Sequence, residues 1–289
     1  MQKYIEKARI IMEALPYIKE FYGKTIVLKY GGNAMEDQGL KEKVIQDIVL
    51  LKLIGMSVVV VHGGGPHITN LMEKLGKKAE FVEGHRVTDP ETMEITEMVL
   101  SGSVNKEIVS LINRHGGKAV GISGKDSNII VAQKKLDKSG KNLDFGLVGT
   151  IKEIHPELLL SLSKEGYIPV VSPVAIGENG ESYNINADTA AGEIAISLNA
   201  AKLIYMTDIK GIYMDIKDES TFIPSINEES VEKLKKEGII NKGMLPKIDS
   251  AIKAVKNGVE KVHIIDGRVE HSVLLELLTD AGIGTEILK

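Results

Sequence analysis

Two spacings of apolar residues alternate along this chain. Short, mostly apolar runs occupy 25–30, 57–61, 119–122, 167–171, 202–206 and 259–265, with a last one at 284–288. Between them, apolar residues recur at every third or fourth position over 38–54, 66–75, 90–114, 155–165, 189–198, 227–237, 243–257 and 271–278. A short unbroken run is what a strand covered on both faces shows, and the wider spacing marks a helix lying over it. Strand–helix alternation predicts an α/β protein around a largely parallel sheet. The pattern over 90–114 is interrupted near Ser101-Gly102-Ser103, and strand-like pieces at 129–132 and 147–151 predict a surface hairpin around the charged turn 134–142. Ahead of the first strand, residues 3–21 predict an amphipathic helix with Ile5, Ala8, Ile11, Met12, Leu15 and Ile18 on one stripe, kinked or ended by Pro16. That stripe needs a surface, either its own core or a neighbouring subunit.

Two of the strands end in glycine. The first runs through Lys29 into Gly31-Gly32, and the second into His62-Gly63-Gly64-Gly65-Pro66. Glycine lets backbone N–H groups approach a ligand closely, a lysine adds a compact positive charge, and a following helix adds unpaired N–H donors. In a parallel sheet both turns fall on the C-terminal edge, where open α/β sheets bind ligands. Lys247 stands beside similar backbone in Gly243-Met244-Leu245-Pro246, Asp188 opens a helix, and Arg86 lies in a polar loop. Two lysines, glycine turns and one carboxylate are what phosphoryl transfer asks for, since its catalysis is positioning plus positive charge. Two lysines around one phosphoryl group repel, and Asp188 between them would hold both charged and aimed.

Composition narrows the choice. At 289 residues the chain makes one large α/β domain or two modest lobes. A net charge of −4 without a basic block disfavours nucleic acid as a partner. There is no cysteine, and no pair among the 7 histidines has metal-protease spacing, so no dedicated metal site is expected. No apolar run reaches the ~18–20 residues of a membrane span, and the N-terminus lacks the form of a signal peptide, so no membrane partner and a cytoplasmic location are expected. The P-loop pattern, the dinucleotide fingerprint and the Gly-x-Ser-x-Gly elbow are all missing, which excludes the commonest kinase, dehydrogenase and hydrolase signatures.

The segments LKYGGNAM, VVVVHGGGPHI, EGHRVTD, YNINADTAAGEIA, LIYMTDIKGIY and GMLPKIDSAIKAVKNGV occur in an order that resembles the amino-acid kinase family over nearly the whole chain. The resemblance implies a three-layer αβα sandwich around a mainly parallel central sheet. It divides the chain into an oligomerisation helix (1–22), an N-terminal lobe for an acyl amino acid (23–180) and a C-terminal lobe for ATP (181–289). The implied reaction is transfer of a phosphoryl group from ATP, carried with Mg2+, to the γ-carboxylate of N-acetyl-L-glutamate. By the same resemblance Lys29, Lys247 and Asp188 would be catalytic, and Gly31, Gly32 and Gly64 would offer backbone N–H groups to phosphate. Gly64, Gly65, Arg86 and Asn184 would bind the acid. Thr207, Asp208, Lys210, Gly211, Tyr213, Gly243 and Met244 would line the nucleotide site. The N-terminal helix and the C-terminal segment resemble the arginine-inhibited, hexameric branch, with His271, Glu276 and Gly284 as its implied L-arginine site. Where the family usually has Gly-Gly-Met this chain has Lys242-Gly243-Met244, which puts an extra cation near the phosphates. A sister enzyme acting on N-acetyl-aminoadipate, one methylene longer, and a non-catalytic arginine sensor of the same fold are the competing readings.

Overall fold

The computed structural model describes residues 1–137, 141, 143–215, 217–240, 244–280 and 282–289. Eight strands form the central sheet: β1 (Thr25–Tyr30), β2 (Ser57–His62), β3 (Ala119–Ser123), β4 (Ile168–Ser172), β5 (Lys202–Thr207), β6 (Ser225–Ile226), β7 (Lys261–Asp266) and β8 (Thr285–Ile287). Their spatial order is β6-β8-β7-β5-β1-β2-β4-β3, parallel throughout except for the antiparallel pair β7–β8. The mainly parallel sheet read from the sequence is therefore the one observed.

Helices run over α1 (Gln2–Glu13), α2 (Leu15–Phe21), α3 (Gln38–Leu53), α4 (Gly65–Lys74), α5 (Pro90–Glu97), α6 (Asn105–Arg114), α7 (Glu157–Lys164), α8 (Ala187–Ser197), α9 (Glu228–Lys236), α10 (Leu245–Lys256) and α11 (Ser272–Leu278). Because successive side chains on a strand point to opposite faces, the apolar runs of β1 and β2 feed two cores. Ile26, Leu28, Val58 and Val60 pack with Val44 and Ile48 of α3 and Ile108 and Ile112 of α6. Val27, Val59 and Val61 pack with Ala190 and Ile194 of α8 and Ile248 and Ala251 of α10. The result is three layers, helix on sheet on helix.

Three details depart from the sequence reading. The stretch 90–114 is not interrupted at its serine–glycine pair: Met98–Val104 continues as a π-helix between α5 and α6. Such wider turns recur at functional sites. The hairpin Ile130–Lys134 with Gly149–Ile154 forms, but it belongs to a four-stranded sheet with Val174–Ile176 and Ser182–Asn184, and Ile130 and Ala132 are buried rather than superficial. Part of its turn, 138–140 and 142, lies outside the described residues. The N-terminal helix breaks at Ala14, and Pro16 sits in the first turn of α2. Phe21 of α2 is buried, whereas α1 buries nothing and leaves Ile5, Ile11 and Met12 exposed.

Candidate active site

β1 and β2 pair in register from Thr25 with Ser57 to Tyr30 with His62. Both glycine turns therefore leave the sheet side by side at its C-terminal edge. Gly32 has φ +71, and a Cβ there would sit 2.5 Å from Asp208 Oδ1, so only glycine lets β1 turn against the residue that follows β5. A Cβ on Gly64 would lie 2.6 Å from Leu100 Cδ2, a side chain of the π-helix. The N-terminus of α4, at Gly65, has no side-chain cap and leaves its first N–H groups for a ligand. His62 is fully buried behind this turn, its Nδ1 2.8 Å from Gly63 O and its Nε2 3.2 Å from Asn105 Nδ2. Burial lowers its pKa to about 4, so it stays neutral and braces the turn.

Lys29, Lys247 and Asp188 meet at this edge. Lys29 Nζ lies 3.0 Å and Lys247 Nζ 2.9 Å from the same oxygen, Asp188 Oδ1. Asn186 caps α8, accepting the N–H groups of Asp188 and Thr189, and so fixes the turn that aims the carboxylate. The three side chains are 13%, 8% and 15% exposed, so solvent screens them little. Burial pushes the Asp188 carboxyl up, but the charges of Lys29 and Lys247 outweigh it and hold the pKa at about 2. Burial and the neighbouring Lys29 charge bring Lys247 down to about 8, against the opposing pull of Asp188.

Three residues around this group were not singled out in the sequence. The Tyr205 hydroxyl of β5 lies within reach of Ser250 Oγ (2.8 Å) and Asp188 O (3.1 Å), its one proton serving either, and Ser250 donates to Asp188 O (3.1 Å). Gly192 makes room for them, since a Cβ there would fall 2.2 Å from Ser250 Oγ. The only signal for Tyr205 was a polar-tipped aromatic in an otherwise apolar strand.

Next to the triad is a cavity of about 220 Å³, lined by Gly63, Gly64, Gly65, Arg86, Leu100 and Asn184 among others, with Asn186 and Ala187 in its wall. Drug-sized ligands occupy ~300–1,000 Å³, so this space suits a small acid. Arg86 is buried and held there, donating from Nη2 to Gly65 O (2.9 Å) and Thr69 Oγ1 (2.8 Å) with its guanidinium 4.8 Å from the Phe81 ring. Burial lowers its pKa from a very high starting value, and it remains a cation. Asn184 donates to Thr88 Oγ1 at 3.3 Å.

A second cavity, about 350 Å³, is lined by Gly211, Ile212, Tyr213, Gly238, Ile240 and Met244 among others. Of the residues grouped as nucleotide-binding, Gly211, Tyr213 and Met244 face it. Asp208 instead lies against Gly32, Lys210 pairs with Glu219 at the surface, and Thr207 O accepts the N–H of Gly267. Gly243 lies outside the described residues. Thr285 of β8 closes the back of this loop: its hydroxyl accepts the N–H of Ile212 (2.8 Å) and donates to Ile223 O (2.7 Å).

A third cavity, about 360 Å³, opens between α2 and the C-terminal strands, bordered by Glu20, Lys202, His263, Glu276, Gly284 and Glu286 among others. Glu276 Oε2 accepts the N–H groups of Ile283 (2.8 Å) and Gly284 (3.1 Å), and its other oxygen faces His263 Nδ1. Burial pushes the Glu276 carboxyl up, but His263 and the two N–H groups prevail and hold it below the usual carboxylate range. Lys202 Nζ reaches His263 Nε2 at 3.0 Å. His271, grouped with Glu276 and Gly284 on resemblance, is not here. It precedes α11 with φ +56 and turns the other way, its Nδ1 2.6 Å from Asp47 Oδ1 of α3. Its left-handed backbone lies outside α11, and His271 and Glu276 face different neighbours, Asp47 and His263. The histidine of this cavity is His263, hidden in the sequence inside an apolar strand.

Fold and site together define a phosphoryl-transfer protein of the amino-acid kinase type, and the chain belongs to the Amino acid kinase family, whose profile matches residues 24–266. It is 55% identical over 290 residues to the acetylglutamate kinase of Carboxydothermus hydrogenoformans, covering 99% of each chain. Among solved structures it resembles N-acetylglutamate synthase from Neisseria gonorrhoeae complexed with coenzyme A and N-acetyl-glutamate, with a TM-score of 0.85 and 27% identity over 98% of this chain and 63% of that one. The same synthase complexed with coenzyme A and L-arginine matches with a TM-score of 0.79 and 26% identity over 98% and 65%. Among the described residues no helix is long and apolar enough to cross a membrane, and no group of three or more His, Asp or Glu side chains converges as a metal cage.

Proposed function

We propose that this protein is an acetylglutamate kinase, which phosphorylates the γ-carboxylate of N-acetyl-L-glutamate with MgATP in arginine biosynthesis. The shared contact of Lys29 and Lys247 on Asp188 carries the reading, supported by full-length relatives of that name. The acid sits in the 220 Å³ cavity with Arg86 on its α-carboxylate, where a two-pronged guanidinium fits better than an ammonium. Asn184 faces the acetylamino end, and ATP reaches in from the cavity of Gly211, Tyr213 and Met244. This divides the work between an acid-binding lobe, 23–180, and a nucleotide-binding lobe, 181–289.

A carboxylate oxygen of the acid attacks the γ-phosphorus. The new O–P bond forms as the bond to the bridging oxygen breaks, and ADP leaves with the electron pair. The acid is already ionised at neutral pH, so no general base is needed. Lys29 and Lys247 meet the negative charge on the moving phosphoryl group, aided by backbone N–H groups at Gly31, Gly32 and Gly64. The donors gathered here are ammonium and N–H groups, which suit phosphate oxygens rather than a cation. Mg2+ therefore belongs to the nucleotide, held by its phosphates and water.

The third cavity fits L-arginine as a feedback inhibitor. Its carboxylates, Glu20, Glu276, Asp280 and Glu286, suit a guanidinium, and Lys202 and Lys261 suit a carboxylate. The synthase of the same fold has been solved with L-arginine. The exposed apolar face of α1 suits assembly of several copies, a homohexamer in this reading, and consumption of ATP goes with a cytoplasmic location. Trapping the acyl phosphate with hydroxylamine, across a panel of acids and with and without arginine, tests the whole. N-acetyl-L-glutamate should give the highest kcat/KM. A preference for N-acetyl-aminoadipate, or no acyl phosphate from any acid, would overturn the assignment.

A further inference from the structure

The proposed catalytic group rests on a side chain that no step of the transfer uses. Tyr205 is fully buried on β5, beside Lys29 in the register of β1 with β5. Its ring lies under Lys247, with Nζ 4.9 Å from the centroid. Its hydroxyl reaches into the first turn of α8 to the carbonyl of Asp188 itself, in company with Ser250 of α10. Gly192 is the gap that admits both hydroxyls, since a side chain there would strike Ser250 Oγ at 2.2 Å and Tyr205 OH at 3.2 Å. Each half of this arrangement has a consequence. A ring face attracts a desolvated ammonium and favours its charged form. A hydroxyl bridge between two helices fixes where the carboxylate of one stands relative to the lysine of the other.

We infer that Tyr205 is a positioning residue for the phosphoryl transfer: its ring carries the Lys247 ammonium, and its hydroxyl pins the backbone of Asp188 to α10. The inference rests on the kinase reading above and names a residue that reading does not require. The charged groups around Lys247 are Asp188 from α8, Lys29 from β1 and Asp208 after β5. Burial already brings its pKa to about 8, and in this inference the ring face 4.9 Å from Nζ favours the charged form against that loss. Removing the ring face therefore lowers the pKa further, and activity falls off at lower pH.

The test compares Tyr205→Phe, Tyr205→Leu and fluorinated phenylalanines placed at position 205, which keep the ring's shape while draining its negative face. Tyr205→Phe should lose about fivefold in kcat with KM for both substrates unchanged, and its basic limb in kcat/KM should stay in place. Tyr205→Leu should lose about tenfold or more, with that limb moved about one pH unit to the acid side. The fluorinated series should move the limb in steps with the number of fluorines, and it decides the matter if Tyr205→Leu does not fold. Titration of the lysine ε-carbons by NMR, with Lys247 assigned through Lys247→Arg, reads the same shift without any turnover. Absence of kinase activity in the unaltered protein would sink the kinase reading alone. A Lys247 titration that stays put across the folded ring variants, or an unchanged kcat in Tyr205→Phe, would overturn the inference.

Discussion

Lys29 and Lys247 come from opposite ends of the chain, yet their ammonium nitrogens rest on one oxygen, Asp188 Oδ1, at 3.0 and 2.9 Å. Sharing a single oxygen leaves the two cations close together. In the proposed function they receive the negative charge of the phosphoryl group. Replacing either lysine by alanine should lower kcat by roughly 10²–10³, the loss usual for one fixed donor to developing charge. Lys247→Ala should also raise KM for ATP, while Lys29→Ala leaves that KM nearly unchanged. Steady-state kinetics on both variants check this, with circular dichroism to show that they fold.

Asp188 links the same group to acid stability. Its pKa of about 2 lies below the ~3.9 of an unfolded chain. Protonation therefore favours the unfolded state, and the contribution is complete above about pH 4 and vanishes as pH falls through about 2. The amount is about 2–3 kcal/mol. Urea unfolding between pH 5 and 2 should show a shallower loss of stability in Asp188→Asn than in the unaltered protein. Equal slopes would mean that the carboxylate is not held by the lysines in solution.

Arg86 is locked by Gly65 O and Thr69 Oγ1 before any acid arrives. A lysine has the charge but not the fork, so Arg86→Lys should raise KM for the acid by about 10–100-fold and change kcat less than threefold. KM for ATP should not move. A change confined to kcat would place the side chain nearer the reacting atoms than the cavity suggests.

Glu276 holds the loop at Ile283 and Gly284 and contacts His263 directly in the wall of the third cavity. If arginine binds there, Glu276→Gln removes the charge that a guanidinium needs while keeping an acceptor for the two N–H groups. The arginine concentration for half-inhibition should rise at least tenfold, with uninhibited kcat within twofold. His271→Asn, which loosens only the contact with Asp47, should alter that concentration much less. The two inhibition curves, measured at one pH, decide between these histidine neighbourhoods.

The parts of the site legible in the sequence are those carried by contiguous residues. Lys29 with Gly31-Gly32, and His62 with three glycines, announce themselves as strand ends, and the register of β1 with β2 brings them together. The sheet was legible because β1 and β2 are apolar on both faces. Features made only by packing were not. Tyr205, Ser250 and Gly192 lie on three different elements and look like ordinary core in any one of them. The two-residue strand Ser225–Ile226 is too short to leave a pattern, and the serine–glycine pair that suggests a break is absorbed by a π-turn. His263 lies inside an apolar run, and only its buried contact with Glu276, made by packing, sets it apart from that run.

Thr285 has a consequence for how the protein comes into being. Its one hydroxyl satisfies the backbone at Ile212 and Ile223, so the wall of the second cavity, the one we propose for nucleotide, is finished by a residue translated long after that wall. Before Thr285 is made, a nascent chain already carries both lysines and the aspartate, but the wall of that cavity lacks these two hydrogen bonds. A polypeptide cut short ahead of it should bind nucleotide poorly although nothing in the reacting group is missing.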